Sequence, residues 1–247
     1  MIGVQRPRRL SQLAMRARNA PAVLRWRARR RRLAGRYLRG KGVEIGALHA
    51  PLPTPARAEV SYVDRMTVAD LRRHYPELAD ERLVEVDIVD DGERLLTQDD
   101  ASADFVIANH FIEHTEDPIG TLANHLRVLR PGGVLFMGVP DRRFTFDCNR
   151  PATGLAHLVA DHERGPAASR RMHFEEWAKL VEGVPAEQVQ PRARELEAEN
   201  YSIHFHVWTA PEFAELLEYG REQARLPFSV ETVQPNEHEF IVILRRD

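Results

Sequence analysis

Asp104-Phe105-Val106-Ile107-Ala108-Asn109 is an apolar run ending in polar residues, and Pro118 to Leu129 follows with Ile119, Leu122, Leu126 and Leu129 on one helical face. Pro131-Gly132-Gly133 stops that helix, and Val134 to Val139 is apolar again. The order is strand, helix, strand, with strands continuous enough in apolar residues to be covered on both sides. That is the signature of parallel strands joined by a crossover helix. Working towards the N-terminus, Val43-Glu44-Ile45 runs into Gly46, Val60 to Val63 ends at Asp64, and Leu83 to Val86 ends at Asp87, each a short predicted strand. Val68 to Tyr75 reads as a helix with Leu71 inward. Working towards the C-terminus, a helix starts at Thr209-Ala210-Pro211-Glu212 and carries Phe213, Leu216 and Leu217. Phe228 to Val233 and Glu239 to Leu244 close the chain as an antiparallel hairpin turning at Pro235-Asn236-Glu237. The fold class expected is α/β: a Rossmann-like, doubly wound, mostly parallel seven-stranded sheet with an antiparallel C-terminal hairpin and helices on both faces.

The formal net charge of the 247 residues is -2, but it is unevenly spread. Residues 1–43 hold thirteen Arg and Lys41 with no acid, which leaves 21 basic and 37 acidic side chains for residues 44–247. A basic arm (1–41) therefore precedes an acidic domain (42–247), within which 141–208 is an irregular, polar insert. The arm shows no clear period over residues 1–20. From Ala22 to Leu38 its apolar residues recur at helical spacing, so its last two turns can dock while the arginines face water. Contact with an anionic membrane surface is the sharper reading, and few aromatics are present to stack on nucleic acid bases. With 43% hydrophobic residues the body can fill a core, and the single cysteine, Cys148, excludes a disulfide framework and a multi-cysteine zinc site. No apolar run is long enough to span a bilayer, and arginines interrupt any secretory signal core. An acid-free, Arg-rich start also fits an organellar transit segment, although it is poor in serine. A cytoplasmic location is expected.

Open α/β sheets bind ligands outside the carboxyl ends of their strands. Those ends carry Gly46, Asp64, Asp87, Asn109 and Pro140-Asp141. An ionised carboxylate only accepts hydrogen bonds, which suits the paired hydroxyls of a ribose, although an Asp at a strand end also commonly caps the next helix. These residues resemble the class I S-adenosylmethionine-dependent methyltransferases. Val43-Glu44-Ile45-Gly46 is similar to their first motif, Tyr62-Val63-Asp64 to the ribose-holding strand, and Val86-Asp87-Ile88 to the third-strand acid. Phe105 to His114 resembles the fourth strand with its Glu-His continuation, and Leu129-Arg130-Pro131-Gly132-Gly133-Val134-Leu135 resembles the fifth-strand entry. The resemblance implies S-adenosylmethionine as cofactor, held by Glu44, Gly46, Ala47, Asp64, Asp87, Ile88 and Asn109. One departure stands out: Gly46-Ala47-Leu48-His49-Ala50-Pro51 has Leu48 and Ala50 where the family often has further glycines, and this wording resembles a bacterial subgroup linked to surface glycans.

Methyl transfer to a hydroxyl benefits from a base, and His110, His114 and Asp141 lie where the sheet meets the insert. His110 and His114 are expected to line the pocket or to orient the next loop, and Glu113 to pin that loop. The insert supplies Arg142, Arg143, Asp147, Arg150, His157, Asp161, His162 and His173. Arg142 and Arg143 could hold an anionic acceptor or form a solvated edge. His173 and His206 are further candidates for the acceptor side. His204 and His206 alternate as on a strand, a spacing able to hold a metal, but no third ligand is evident in the sequence, so no metal is expected. The expected function is methyl transfer to a small molecule or glycan, at oxygen. The rivals are a methyltransferase-like binding module without catalysis and a nicotinamide-dependent oxidoreductase, the latter lacking its Gly-x-Gly-x-x-Gly loop here.

Overall fold

Alternation along β-strands divides the apolar residues between two faces. Val106 and Ala108 point to one side, and Phe105 and Ile107 point to the other. The computed structural model describes residues 9–247 except 76, 77 and 79, with side chains of the first helix described from residue 21. The elements are α1 (Arg9–Tyr37), β1 (Gly40–Ile45), β2 (Ala58–Asp64), α2 (Val68–His74), β3 (Ile88–Val89), β4 (Ala103–Asn109), α3 (Pro118–Val128), β5 (Leu129–Pro140), α4 (Leu155–Arg164), α5 (Ala167–Leu180), α6 (Ala186–Ala198), α7 (Ala210–Glu222), β6 (Phe228–Asn236) and β7 (Glu239–Arg246). The seven strands form one sheet in the order β3-β2-β1-β4-β5-β7-β6. β1 to β5 are parallel, and β7 runs antiparallel between β5 and β6.

On one face α3, α4 and α7 contribute Leu122, Leu126, Leu158, Phe213 and Leu216 to a core with Val43, Val106 and Leu135. On the other face Leu33, Ala34 and Tyr37 at the end of α1, with Leu38 just after it, press against Phe105, Ile107, Phe136 and Ile243. The basic arm is thus a layer of the fold at its C-terminal end. Gly42 shows how tightly β1 and β4 meet, because a Cβ there would lie 2.2 Å from the Phe105 carbonyl oxygen. Asp117 caps α3 by accepting the Gly120 N–H at 2.9 Å, and Pro118 fills the first turn.

Four local expectations are corrected. Helix α1 begins at Arg9, so the aperiodic stretch is helical at least from there, and residues 1–8 lie outside the described residues. Leu83 to Val86 has no regular secondary structure and does not join the ladder, and β3 is only Ile88–Val89. The Asp87 carboxylate accepts the Tyr62 N–H at 2.8 Å, so it is spent on the neighbouring strand. The final turn falls at Glu237-His238, with Glu237 at φ 62, while Pro235 sits within edge strand β6, where a missing N–H costs no ladder bond. The insert holds three α-helices after two short 3-10 turns, and α6 begins at Ala186, with Ala193 and Leu196 packed on Phe174 and Ile203. Among the described residues no helix is long and apolar enough to cross a membrane.

Candidate active site

The strand order reverses between β1 and β4, and a cleft opens there at the carboxyl ends of the strands. It contains about 780 Å³ of empty space, part of it open to solvent. Gly46 follows β1 with φ +63, in the left-handed region that glycine enters freely. Leu48 (φ 48) and His110 (φ 50) line the same cleft in the same region. For a residue with a Cβ this costs about 1–2 kcal/mol. Leu48, which stands where the family often has glycine, therefore adopts the backbone shape that glycine would favour.

Asp64 ends β2 and lines the cleft. Burial pushes its carboxyl up, against the N–H groups of Arg65 and Met66 that favour the ion. Asp91 and Glu93 line the opposite wall, and burial, then the charges of Asp91 and Asp117, push Glu93 up to about 7. Phe111, Ile45 and Leu48 form an apolar wall, and Arg65, Tyr75 and Ser202 complete the lining. Glu44 is not on the cleft surface. It lies buried under the loop that follows β1, where its two oxygens accept the Leu52 N–H at 2.9 and 3.1 Å, and desolvation pushes it up to about 7. Ala47, Asp87, Ile88 and Asn109 do not line the cleft either, and Asn109 faces Glu44. The shift of β3 by a few residues brings Asp91 to the position expected for Asp87.

His110 Nε2 lies 2.7 Å from a Glu239 carboxylate oxygen. A carboxylate only accepts, so Nε2 donates to Glu239, while Nδ1 lies 3.8 Å from an oxygen of the buried Glu113 carboxylate. Glu239 is also gripped by the buried guanidinium of Arg30, with Nε at 2.8 Å, and by the Asn236 amide at 2.7 Å. Burial opposes its charge, yet His110 and Arg30 hold its carboxyl down to about 2. His114 donates from Nδ1 to the Ile203 carbonyl at 2.8 Å. Burial first, then the neighbouring His204, pushes its ring down to about 3, which makes it a poor base near neutral pH. The Glu113 carbonyl accepts the N–H groups of Phe205 and His206 and so pins the segment beside the cleft.

The remaining candidates lie elsewhere. Asp141 is buried and takes both Nε (2.9 Å) and a terminal nitrogen (2.6 Å) of Arg143, so neither group is free at the cleft. Arg142 reaches the Cys148 carbonyl at 3.2 Å. His204 and His206 are not on a strand and part company: His204 Nδ1 meets Asp147 at 2.7 Å, whereas His206 joins His157, Asp161 and His173 behind the cleft. Sequence reasoning missed Asp91 and Glu93, although Asp90-Asp91-Gly92-Glu93 is an acidic turn after a strand. It also missed Arg30 and Glu239, which no local pattern connects.

Comparison with known proteins bears on this cleft. Residues 15–219 match a family described as a methyltransferase domain. A protein of Mycolicibacterium smegmatis named a probable S-adenosylmethionine-dependent methyltransferase is 33% identical over 119 residues, covering 48% of this chain and 39% of that protein. The match thus spans about two fifths of that relative's length. A methyltransferase structure from Aquifex aeolicus, described as SAM dependent, is 13% identical with a TM-score of 0.47, covering 87% of each chain. A Rhodobacter sphaeroides protein provisionally described as a Zn-dependent alcohol dehydrogenase gives 18% identity and a TM-score of 0.51 over 85% of each chain. That likeness shows the fold alone, and the activity in its description stays with that protein. With well over half of its length inside the matched region, this chain belongs to the methyltransferase-domain family.

Proposed function

We propose that the cleft holds S-adenosylmethionine and directs its methyl group to a hydroxyl of a small molecule or glycan, with His110 as the base. The pairing of His110 with the buried Glu239 at 2.7 Å carries this reading. The cleft fits the cofactor on its own chemistry. Asp64 offers an acceptor-only carboxylate to paired ribose hydroxyls, and Phe111, Ile45 and Leu48 offer an apolar wall to a purine. Asp91 offers a further acceptor for an exocyclic amine. When bound, the cofactor supplies an electrophilic methyl group on a sulfonium.

With Nε2 turned to Glu239, Nδ1, 3.8 Å from the buried Glu113 carboxylate, is the nitrogen that in this reading takes the proton of an acceptor hydroxyl. Arg30 and Asn236 fix the Glu239 oxygens in turn. Ser202 and Tyr75 bring hydroxyls to the cleft wall on which an acceptor would be positioned. The exposed Arg27, Arg31 and Arg32 of α1 suit weak contact with an anionic membrane surface, and the single exposed thiol of Cys148 suits the cytoplasm.

Calorimetry with S-adenosylmethionine, followed by S-adenosylhomocysteine release over a panel of sugars, phenols and amines, tests the reading. His110→Gln should leave cofactor affinity unchanged and slow turnover of hydroxyl acceptors by about 10²–10⁴-fold. A folded protein that does not bind the cofactor, turnover confined to amines, or full activity in His110→Gln would refute it.

A further inference from the structure

Close to the segment whose Ser202 lines the cleft, three histidines and one aspartate converge. His157 and Asp161 lie one turn apart on α4, His173 is on α5, and His206 is on the extended segment after α6. One donor atom from each of the four lies within 4.8 Å of all the others. His157 Nε2 is 3.0 Å from His173 Nε2 and 3.1 Å from Asp161 Oδ2, and the Nε2 atoms of His173 and His206 each lie 4.0 Å from that same oxygen. We propose that His157, Asp161, His173 and His206 bind one divalent transition-metal ion of the zinc type, stapling α4 and α5 to the segment that walls the cleft.

Tetrahedral coordination with bonds of about 2.0–2.1 Å sets donors about 3.3 Å apart, so the four need move by less than an ångström. Three imidazoles and one carboxylate favour a transition metal over magnesium or calcium, which take oxygen donors. Four protein ligands make a closed, structural site. Asp161 is buried, with its side chain 6% exposed, and its Oδ2, aimed at the three rings, makes no hydrogen bond among the described residues. Its other oxygen accepts the Ser169 hydroxyl at 2.7 Å, the kind of outer contact that orients a ligating carboxylate. The His206 ring is fully buried, and among the described residues its Nε2 makes one hydrogen bond, a marginal 3.4 Å approach to the Glu116 carbonyl. A surface groove lined by Thr153, His157, Met172 and His173 gives an ion its way in. The two other convergent groups have three members each. Their carboxylate or imidazole is already engaged, Glu239 by Arg30 and His204 by Asp147.

The consequence reaches the cleft. Ser202, four residues before His206, lines it, and the Phe205 and His206 N–H groups hold the Glu113 carbonyl. A metal here would fix the acceptor wall without touching the reacting atoms.

Full-length protein carrying a histidine-free tag should contain one zinc ion per chain by mass spectrometry of the metal. After chelation it should take up one Co²⁺ with the intense visible bands of a tetrahedral site. Asp161→Asn and His206→Gln should each weaken Zn²⁺ affinity, measured against a chromophoric chelator, at least a hundredfold, while His238→Gln, in a neighbouring group, should not. His173→Cys should add a thiolate-to-cobalt charge-transfer band, a readout that holds even if the other variants fold poorly. No zinc uptake, an octahedral cobalt spectrum, no new band in His173→Cys, or affinity undiminished in folded Asp161→Asn and His206→Gln would overturn the site.

Discussion

Replacing Arg30 by methionine removes a side chain that is 6% exposed and grips a fully buried Glu239 carboxylate. Methionine keeps much of the aliphatic stem, so the loss is mainly that of the charge and its hydrogen bonds. Removing one member of a buried ion pair costs about 3–5 kcal/mol, because the other charge is left unpaired. Glu239 gives a second route to the magnitude. Its carboxyl sits at about 2 rather than 4.5, despite the desolvation that opposes its charge. That difference corresponds to about 3 kcal/mol of favourable interaction with the ionised form, shared between His110 and Arg30. Because the folded-state value is depressed, this stabilisation is present above about pH 4.5 and is lost as the pH falls towards 2. Urea denaturation followed by circular dichroism should show Arg30→Met less stable by about 3 kcal/mol at pH 7, with a shallower loss of stability in acid than the wild type. Adding Glu239→Gln should recover part of the loss, giving a coupling of at least about 1 kcal/mol in the double-mutant cycle. A loss below about 1 kcal/mol with an unchanged acid slope would mean that the pair behaves as an exposed one and that Glu239 is not held as described.

Asp64→Ala should weaken S-adenosylmethionine binding at least tenfold by calorimetry, since a hydrogen bond to a charged group contributes about 1.5–3 kcal/mol; unchanged affinity would return Asp64 to a capping role. Glu44, at about 7 in the folded protein and 4.5 ordinarily, has a raised value, so its contribution is complete below about pH 4.5 and is lost as the pH rises through 7. Glu44→Gln keeps an acceptor for the Leu52 N–H and should therefore lose about 3 kcal/mol less stability than the wild type between pH 4.5 and 8, measured by urea midpoints; parallel pH profiles would show that Glu44 is not desolvated. Leu48→Gly relieves the left-handed strain while adding unfolded-state entropy, so its stability should stay within about 1 kcal/mol of the wild type. A loss above about 2 kcal/mol would mean that the Leu48 side chain, rather than the loop's backbone shape, holds this wall.

The strands that build the cleft were largely legible from local pattern. Phe105 to Ala108 is the buried strand that its apolar run predicts, whereas Pro131-Gly132-Gly133 lies inside β5, the helix before it having already ended at Val128. Asp64 could be placed because it directly follows an apolar run. Asp87 was misplaced for a physical reason: Leu83 to Val86 has the apolar content of a strand but does not pair as one, because the Asp87 carboxylate takes the Tyr62 N–H and the ladder forms only at Ile88–Val89. The insert was least legible, since the short apolar stripes of α5 and α6 are satisfied by each other and by Ile203 and Phe205.

What the amino-acid order alone determined is whatever one element can settle by itself: the periodicity of each strand and helix, the breakers between them, the basic arm before an acidic body, and the acids at strand ends. Contacts between distant segments were decided only by the tertiary structure. Arg30 meets Glu239 across 209 positions, and Glu239 meets His110 across 129. His157 and His206 meet only because α4 and the segment after α6 pack together. Periodicity encodes which face of an element is buried but carries no record of which other element will cover it. The charge pairs and the histidine cluster therefore emerge only when the two faces of the sheet are closed.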